Sequence, residues 1–495
     1  MKKVVNGLLA VLVICLAAGI GLFIYDSVNS YKVNKGFQSL PLQFNPQDSS
    51  SFYKNENGSI TVYGGFVKGI QKDKSGNEAI VIRALSPTPS IKADWYAQGT
   101  VSLLLENINP DFYVKCIEGS KLSITKTAVN TLKLSLTMSP GKTTVIQPVV
   151  PSDPDDKYRY VILGDNRDGY ETFKQIIQQV NGINPVFVID NGDLVFSGKP
   201  NQYRLFDQMT SEISTTLCTA LGNHDIRGNG RSIYTMLYGP AYYSFDFKGS
   251  HLIFIDSSPG WAEKRAISEE QYTWLEKDLK KAYGRHIFVI SHIPPRDPRS
   301  GVTKNEIQSY VNDVKNGQGW LEQKLNNYNE NKDMEHGFQD PAEAERFEKL
   351  MSTYHVDTVY LSHIHSYFDY SKDGVRYVIT GGAGAELLTK NSYYHYIISK
   401  FTDSKTTTMV ELPSPANLYV QRYIATIQLF SSAIYEENPA AVVLILSGLV
   451  LLMLLLIIKL YLWRSRPINT LARWLVDTFK FAVNRFKELF QGNGK

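Results

Sequence analysis

The chain has 495 residues, 43% of them hydrophobic and 20% charged, a length that calls for several folded units. A net charge of +4 is too small to argue for a nucleic-acid partner, and three cysteines exclude a disulfide framework.

An apolar run at 7–25 follows Lys2 and Lys3. Its length suits a bilayer span better than the core of a signal peptide, and no small-x-small cleavage site follows, so residues 1–26 are expected to remain as an anchor. Ile14 precedes Cys15 where a lipoprotein signal needs a small residue, so lipidation is not expected. Residues 27–57 are polar and read as a linker. Over 58–150, runs such as 59–63, 79–83, 100–106 and 131–137 alternate apolar with polar residues between Gly, Pro and Asn clusters. That pattern predicts a β-sandwich, and it carries no catalytic constellation.

Residues 151–156 mark a boundary. From 156 to 412, apolar strand-like runs alternate with helical patterns at 171–181, 202–213, 268–283 and 341–354. The expected fold class is α/β (α+β), two β-sheets covered by helices. A polar insertion at 296–340 is long enough to roof a site. Gly381-Gly-Ala-Gly384 follows a strand, and either offers backbone amides to a substrate or makes a tight turn.

Residues 413–438 are a juxtamembrane segment. Residues 440–458 contain no charge, with Glu436 and Glu437 before them and Lys459, Arg464 and Arg466 after, which predicts a second span over 439–463. Basic residues flank the outer end of each span, so both termini are expected in the cytoplasm and everything between them outside. The tail at 464–495 reads as a basic amphipathic helix lying on anionic lipid, or packing against a partner.

The chemistry is carried by five segments: Gly164-Asp165-Asn166-Arg167, Gly192-Asp193, Gly222-Asn223-His224-Asp225, Ser291-His292 and Ser362-His363-Ile364-His365. Strand-like runs at 160–163, 186–189, 288–290 and 358–361 lead into them, and strand ends feeding loops are where an α/β sheet builds its active site. His251, His286, His336, His355 and His395 read as ordinary polar residues, with contact to substrate the alternative for His336 in the polar insertion.

In these motifs the chain, over roughly 158–412, resembles the calcineurin-like metallophosphoesterase superfamily, which includes purple acid phosphatases, exonucleases and cyclic-nucleotide phosphodiesterases. Arg167 and Ser362 stand where the family usually has His and Gly. Phe196 stands where purple acid phosphatases carry Tyr, so their Tyr-to-iron chemistry is not expected. The resemblance implies a four-layer core and two divalent or trivalent metal ions. Mixed imidazole, carboxylate and amide ligation suits Mn, Fe, Zn or Co. Asp193 would bridge the two ions, Asp165 and His365 would complete the first, and Asn223, His292 and His363 the second. His363 and His365 are expected on one side of an extended segment, because side chains alternate with period two. His224 is expected to protonate the leaving group, with Asp225 holding its ring in one tautomer. Arg167 is read as a phosphate clamp, or as an ion-pair partner of Asp168 or another acid at the rim.

The leading expectation is a membrane-anchored, outward-facing, metal-dependent phosphoesterase acting on mono- or diesters of small molecules, lipid head groups or envelope polymers. Its expected partners are the phosphate ester, the lipid bilayer and an envelope or membrane protein. The alternative is a non-catalytic envelope scaffold whose relic site binds a phosphorylated polymer. A nuclease is disfavoured, since no basic stripe with interleaved aromatics accompanies the motifs.

Overall fold

The computed structural model describes residues 44–45, 50–72, 76–117, 121–152, 158–167, 169–258, 265–299, 336–387, 393–400, 407–413 and 448. The expected span at 1–26, that at 439–463 apart from Gly448, the juxtamembrane segment apart from 413, and the tail at 464–495 lie outside them. Among the described residues no helix is long and apolar enough to cross a membrane.

The N-terminal part contains strands β1 (Phe44–Asn45), β2 (Ser50–Asn55), β3 (Gly58–Tyr63), β4 (Gly65–Lys72), β5 (Glu78–Ala84), β6 (Ser90–Trp95), β7 (Gly99–Glu106), β8 (Tyr113–Ile117), β9 (Lys121–Ala128), β10 (Thr131–Met138) and β11 (Lys142–Val149). They form two sheets, in the orders β1-β2-β3-β6-β11-β8 and β4-β5-β7-β10-β9. The period-two pattern puts alternate residues on one face. Ile60, Ile91 and Ile146 of the first sheet and Ile82, Leu103, Leu105 and Leu134 of the second are fully buried in one shared cluster. Each contributes about 1.5–3 kcal/mol by leaving water. Strand β2 corrects the reading of 27–57 as linker: Ser50–Asn55 pairs along β3, with Ser51↔Val62 and Tyr53↔Ile60. Polar Ser51 faces inward and Phe52 outward, so the strand lacks the apolar-in, polar-out alternation that would mark it in the sequence.

The second part follows as β12 (Arg159–Leu163), α1 (Tyr170–Ile183), β13 (Phe187–Asp190), α2 (Pro200–Thr210), β14 (Thr216–Thr219), α3 (Gly230–Tyr238), β15 (Tyr243–Phe247), β16 (Ser250–Phe254), α4 (Glu269–Ala282), β17 (His286–Ile290), α5 (Pro341–Thr353), β18 (Thr358–Leu361), β19 (Tyr367–Lys372), β20 (Val375–Thr380), β21 (Tyr394–Lys400) and β22 (Thr407–Leu412). One sheet runs β14-β13-β12-β21-β22 and the other β15-β16-β17-β18-β20-β19. Strands β12, β13 and β14 are mutually parallel, as are β16, β17, β18 and β20. Tyr160, Ile162 and Ile189 from one sheet meet Phe254, Phe288 and Tyr360 from the other in a common core. The hydroxyls of Tyr160 and Tyr360 satisfy each other there at 2.8 Å. Leu275 and Leu279 of α4 and Phe347 of α5 pack on the far face of the second sheet. Helix α1 is tied to the first sheet, with Tyr396 donating to Gln179 Oε1 at 2.9 Å.

Helices α4 and α5 begin where the sequence signals them: Ser268 and Asp340 are N-caps, and Pro341 occupies the first turn of α5. Helix α3 has no such signal, because its N-cap Asn229 makes no side-chain capping bond. The two parts of the chain are joined by Asn107, whose side-chain amide acts as a peptide surrogate. It donates to Leu217 O at 2.9 Å and accepts from Leu217 N at 2.9 Å.

Candidate metal centre

All five motifs leave the C-terminal ends of parallel strands, where the backbone ladder runs on into the loops. Asp165 N donates to Gly192 O and Arg167 N to Asp193 O, while Ser362 N donates to His292 O. The loops are sharply bent. Asp165 (φ 58°), Asp193 (φ 57°), His363 (φ 72°) and His365 (φ 50°) all lie in the left-handed region. Such conformations cost about 1–3 kcal/mol each, and they persist where surrounding structure over-determines them. Gly192 (φ 97°) is required in the same sense, since a Cβ there would lie 2.8 Å from both Gly222 N and His292 Nδ1.

The two histidines of the last motif therefore converge by a different route from the expected one. Strand β18 ends at Leu361, and left-handed turns at His363 and His365, not strand alternation, aim both rings inward.

Two groups of ligand atoms result, each with its members within 4.8 Å of one another: Asp165, Asp193 and His365, and Asp193, His292 and His363. Asp193 is common to both. The amide oxygen of Asn223 lies 3.2 Å from His292 Nε2 and so joins the second group.

Each carboxylate is anchored by a backbone N–H. Asp165 Oδ2 accepts from His363 N at 2.7 Å and Asp193 Oδ1 from His224 N at 2.9 Å. Asp165 Oδ1 and Asp193 Oδ2 are buried and accept no hydrogen bond among the described residues. The imidazoles are held the same way. His292 Nδ1 lies 2.9 Å from Asn191 O, and His365 Nδ1 lies 2.6 Å from Glu386 O. A carbonyl can only accept, so Nδ1 carries the hydrogen on both rings and Nε2 points into the cluster, as a metal-ligating histidine is usually oriented. Nε2 of His365 sits 3.4 Å from Asp165 Oδ1, and Nε2 of His292 sits 3.3 Å from Asp193 Oδ1. Lone pairs facing one another at these distances need a proton or a metal ion between them. The donor set therefore fits two metal ions. Burial raises the Asp165 carboxyl, but His365, with His292 and His363 behind it, holds it well below the carboxylate range. Burial, then His292, drives the His363 imidazole well below its usual value.

Asp225 does not hold the His224 ring. Its carboxylate accepts from Asp193 N (3.0 Å), Val195 N (3.0 Å) and Gly222 N (2.8 Å), buckling the second motif to the third. Burial and the Asp193 charge push its pKa up, and the three amides oppose them. The His224 ring is held by Phe196, whose carbonyl oxygen lies 2.6 Å from Nδ1. Nε2 then takes a hydrogen bond from Arg227 Nη2 at 2.9 Å. Burial, followed by the Arg167 and Arg227 charges, lowers the His224 pKa to about 4 although Asp193 opposes them, so the ring is neutral near pH 7.

Arg167 is buried, and its Nη2 donates to Glu386 Oε1 at 2.5 Å. Its acid is thus Glu386, far away in sequence; Asp168 lies outside the described residues. Its Nη1 reaches the His224 ring at 3.2 Å from Nε2. Glu386 serves the site twice, with its carboxylate on Arg167 and its carbonyl on His365.

The glycine run at 381–384 is spent on packing. Ala383 N and Ala385 N donate to Gly164 O and Asp165 O, and a Cβ at Gly381 would collide with Asp165 Oδ2. Ser362 fills the space beside Gly164 and donates to Thr380 O at 2.9 Å. His336 also reaches the site, its ring 5.4 Å from that of His363. By contrast His251 is engaged with Asp246 and Asp278, and His286 with Asp357.

Residues 158–367 match the family model described as calcineurin-like phosphoesterase. Among curated proteins, the chain is 29% identical over 129 residues to the glycerophosphodiester phosphodiesterase GpdQ of Enterobacter lignolyticus, covering 24% of this chain and 46% of that one. It is 28% identical over 145 residues to a probable cyclic nucleotide phosphodiesterase of Rhodococcus erythropolis, covering 27% of this chain and 47% of that one. Purple acid phosphatase PPD1 from yellow lupin superposes with a TM-score of 0.37 at 16% identity, over 66% of this chain and 72% of that one. The chain spans about half the length of the curated relatives it matches.

Proposed function

We propose that this chain, which belongs to the calcineurin-like phosphoesterase family through residues 158–367, is a metal-dependent hydrolase of phosphate esters, anchored in a membrane with its catalytic part on the outer side. The observation that carries the hydrolase reading is the pair of imidazoles whose Nδ1 atoms are tied to carbonyls while Nε2 faces a buried carboxylate oxygen.

In this reading Asp165 and His365 would hold one ion, Asn223, His292 and His363 the other, and Asp193 would serve both. Ions bound there would polarise phosphoryl oxygens and make water nucleophilic near neutral pH. Arg167 draws the anionic ester into the cleft by its guanidinium, which stays charged at any working pH. His224 is oriented by Phe196 so that Nε2 faces the reacting group. A bound phosphate anion would offset the two guanidinium charges that hold the ring neutral, so that Nε2 takes a proton from water and passes it to the leaving oxygen. The two N-terminal sheets are read as a β-sandwich that buttresses β14 through Asn107 and holds the catalytic part off the bilayer.

The membrane reading rests on the apolar runs at 7–25 and 440–458 and their basic flanks. In intact cells, with Cys116 replaced by Ser, a cysteine at exposed Ser123 is expected to react with an impermeant maleimide and one at Ser465 is not. The reverse pattern places catalysis in the cytoplasm. For the activity itself, purified full-length protein is expected to hydrolyse 4-nitrophenyl phosphate, to lose that activity on chelation and to regain it with added Mn, Co or Zn. Metal-independent turnover overturns the proposal.

A further inference from the structure

Arg227, three residues beyond His224, has no place in the metal cluster, yet it reaches the same ring as Arg167. Its Nη2 lies 2.9 Å from His224 Nε2, and Arg167 Nη1 lies 3.2 Å from the same atom. Both guanidiniums also use Phe196: Arg227 Nη1 donates to its carbonyl at 3.4 Å, and Arg167 Cζ lies 5.3 Å from its ring centroid. His224 Nε2 is in turn 3.9 Å from Oδ2 of Asp193, the carboxylate common to both ligand groups. Two charges that cannot be relieved by deprotonation are thus gathered on one neutral imidazole at the edge of the reaction centre. Glu386 offsets Arg167 from one side and Asp193 lies 3.9 Å from the shared ring, and a doubly charged ligand that reaches both forks would offset the remaining repulsion between the two guanidiniums.

We propose that Arg167 and Arg227 form a paired-guanidinium subsite that makes the cleft selective for phosphate monoesters over diesters. The inference rests on the phosphoesterase reading above. A monoester carries three unesterified oxygens and up to two charges, so it can face the metal cluster and still present oxygen to both forks. A diester has one fewer free oxygen, less charge, and a second ester group in the space between Arg167, Arg227 and the Phe196 ring. Arg227 is a specificity residue here, and Glu386, which holds Arg167 Nη2, is a positioning residue.

The test compares 4-nitrophenyl phosphate with bis(4-nitrophenyl) phosphate on the metal-loaded full-length protein, and measures competitive inhibition by inorganic phosphate. Wild type is expected to favour the monoester in kcat/KM. R227A is expected to lower monoester kcat/KM by about 10–150-fold, the scale of one lost charge-assisted bond, chiefly through KM. Inhibition by inorganic phosphate weakens in parallel, and the diester changes by less than about threefold. R167A gives the same asymmetry, and R227K, which keeps charge without the fork, recovers only part of the loss. Metal content and the far-ultraviolet circular dichroism of R227K stay those of wild type. Equal losses for both esters, or a wild-type protein that prefers the diester, overturn the inference while leaving the phosphoesterase reading in place. Cleavage of neither ester sinks that reading and this inference with it.

Discussion

Asp193→Asn lowers turnover by about 10³-fold or more and releases both metal ions, whichever ester is used. Asp193 is the residue common to the two ligand groups, and its unshared Oδ2 is buried and accepts no hydrogen bond among the described residues. Metal Lewis acidity is worth several kcal/mol at a phosphoryl transition state, and each ~1.4 kcal/mol is tenfold in rate. The substitution is well suited to the question. Asparagine keeps an oxygen to accept from His224 N, and the Asp193 N bond to Asp225 is untouched, so the loop has its anchors. What disappears is one charge and one ligand oxygen. Turnover above about a tenth of wild type, in a variant that still holds two ions, contradicts the bridging role.

His224→Ala slows turnover by about 10²–10⁴-fold, the usual worth of a positioned proton donor, with metal content unchanged. The ring is in neither ligand group; its contacts are Phe196 O, Arg227 and Arg167. The size of the loss depends on the leaving group. An alkyl phosphate, whose alkoxide needs a proton, suffers most, and 4-nitrophenyl phosphate, whose phenolate departs unaided, suffers least. If both lose equally, His224 moves no proton, and its part is to hold the two guanidiniums where the phosphate lands.

The candidate ligands were legible in the sequence because metal chemistry tolerates few residue types and because apolar runs of three or four residues reveal the strands that deliver them. Asp165, Asp193, His292, His363 and His365 lie together in space, and Asn223 lies beside His292. What surrounds them was not legible, for two physical reasons. The groups that orient His292, His365 and His224 are backbone carbonyls of Asn191, Glu386 and Phe196, and a carbonyl leaves no trace in residue identity. The counter-ion of Arg167 comes from Glu386, which only the folded chain brings near. Asp225 was misread because proximity to His224 suggested a side-chain pairing, whereas its carboxylate is consumed by three amides of its own and the neighbouring loop. Arg227 did carry a signal, a cation three residues past the third motif, which becomes meaningful only once its fork is seen on the His224 ring. Among the N-terminal strands the alternation of β7 and β10 was plain, and β2 was hidden because polar Ser51 points inward and Phe52 outward.

The measurement that bears most directly on the two-metal site is the number of metal ions per chain in purified, catalytically active full-length protein, by elemental analysis. Two ions per chain are predicted. A protein that hydrolyses phosphate esters at full rate with none, or with one, contradicts the site described here.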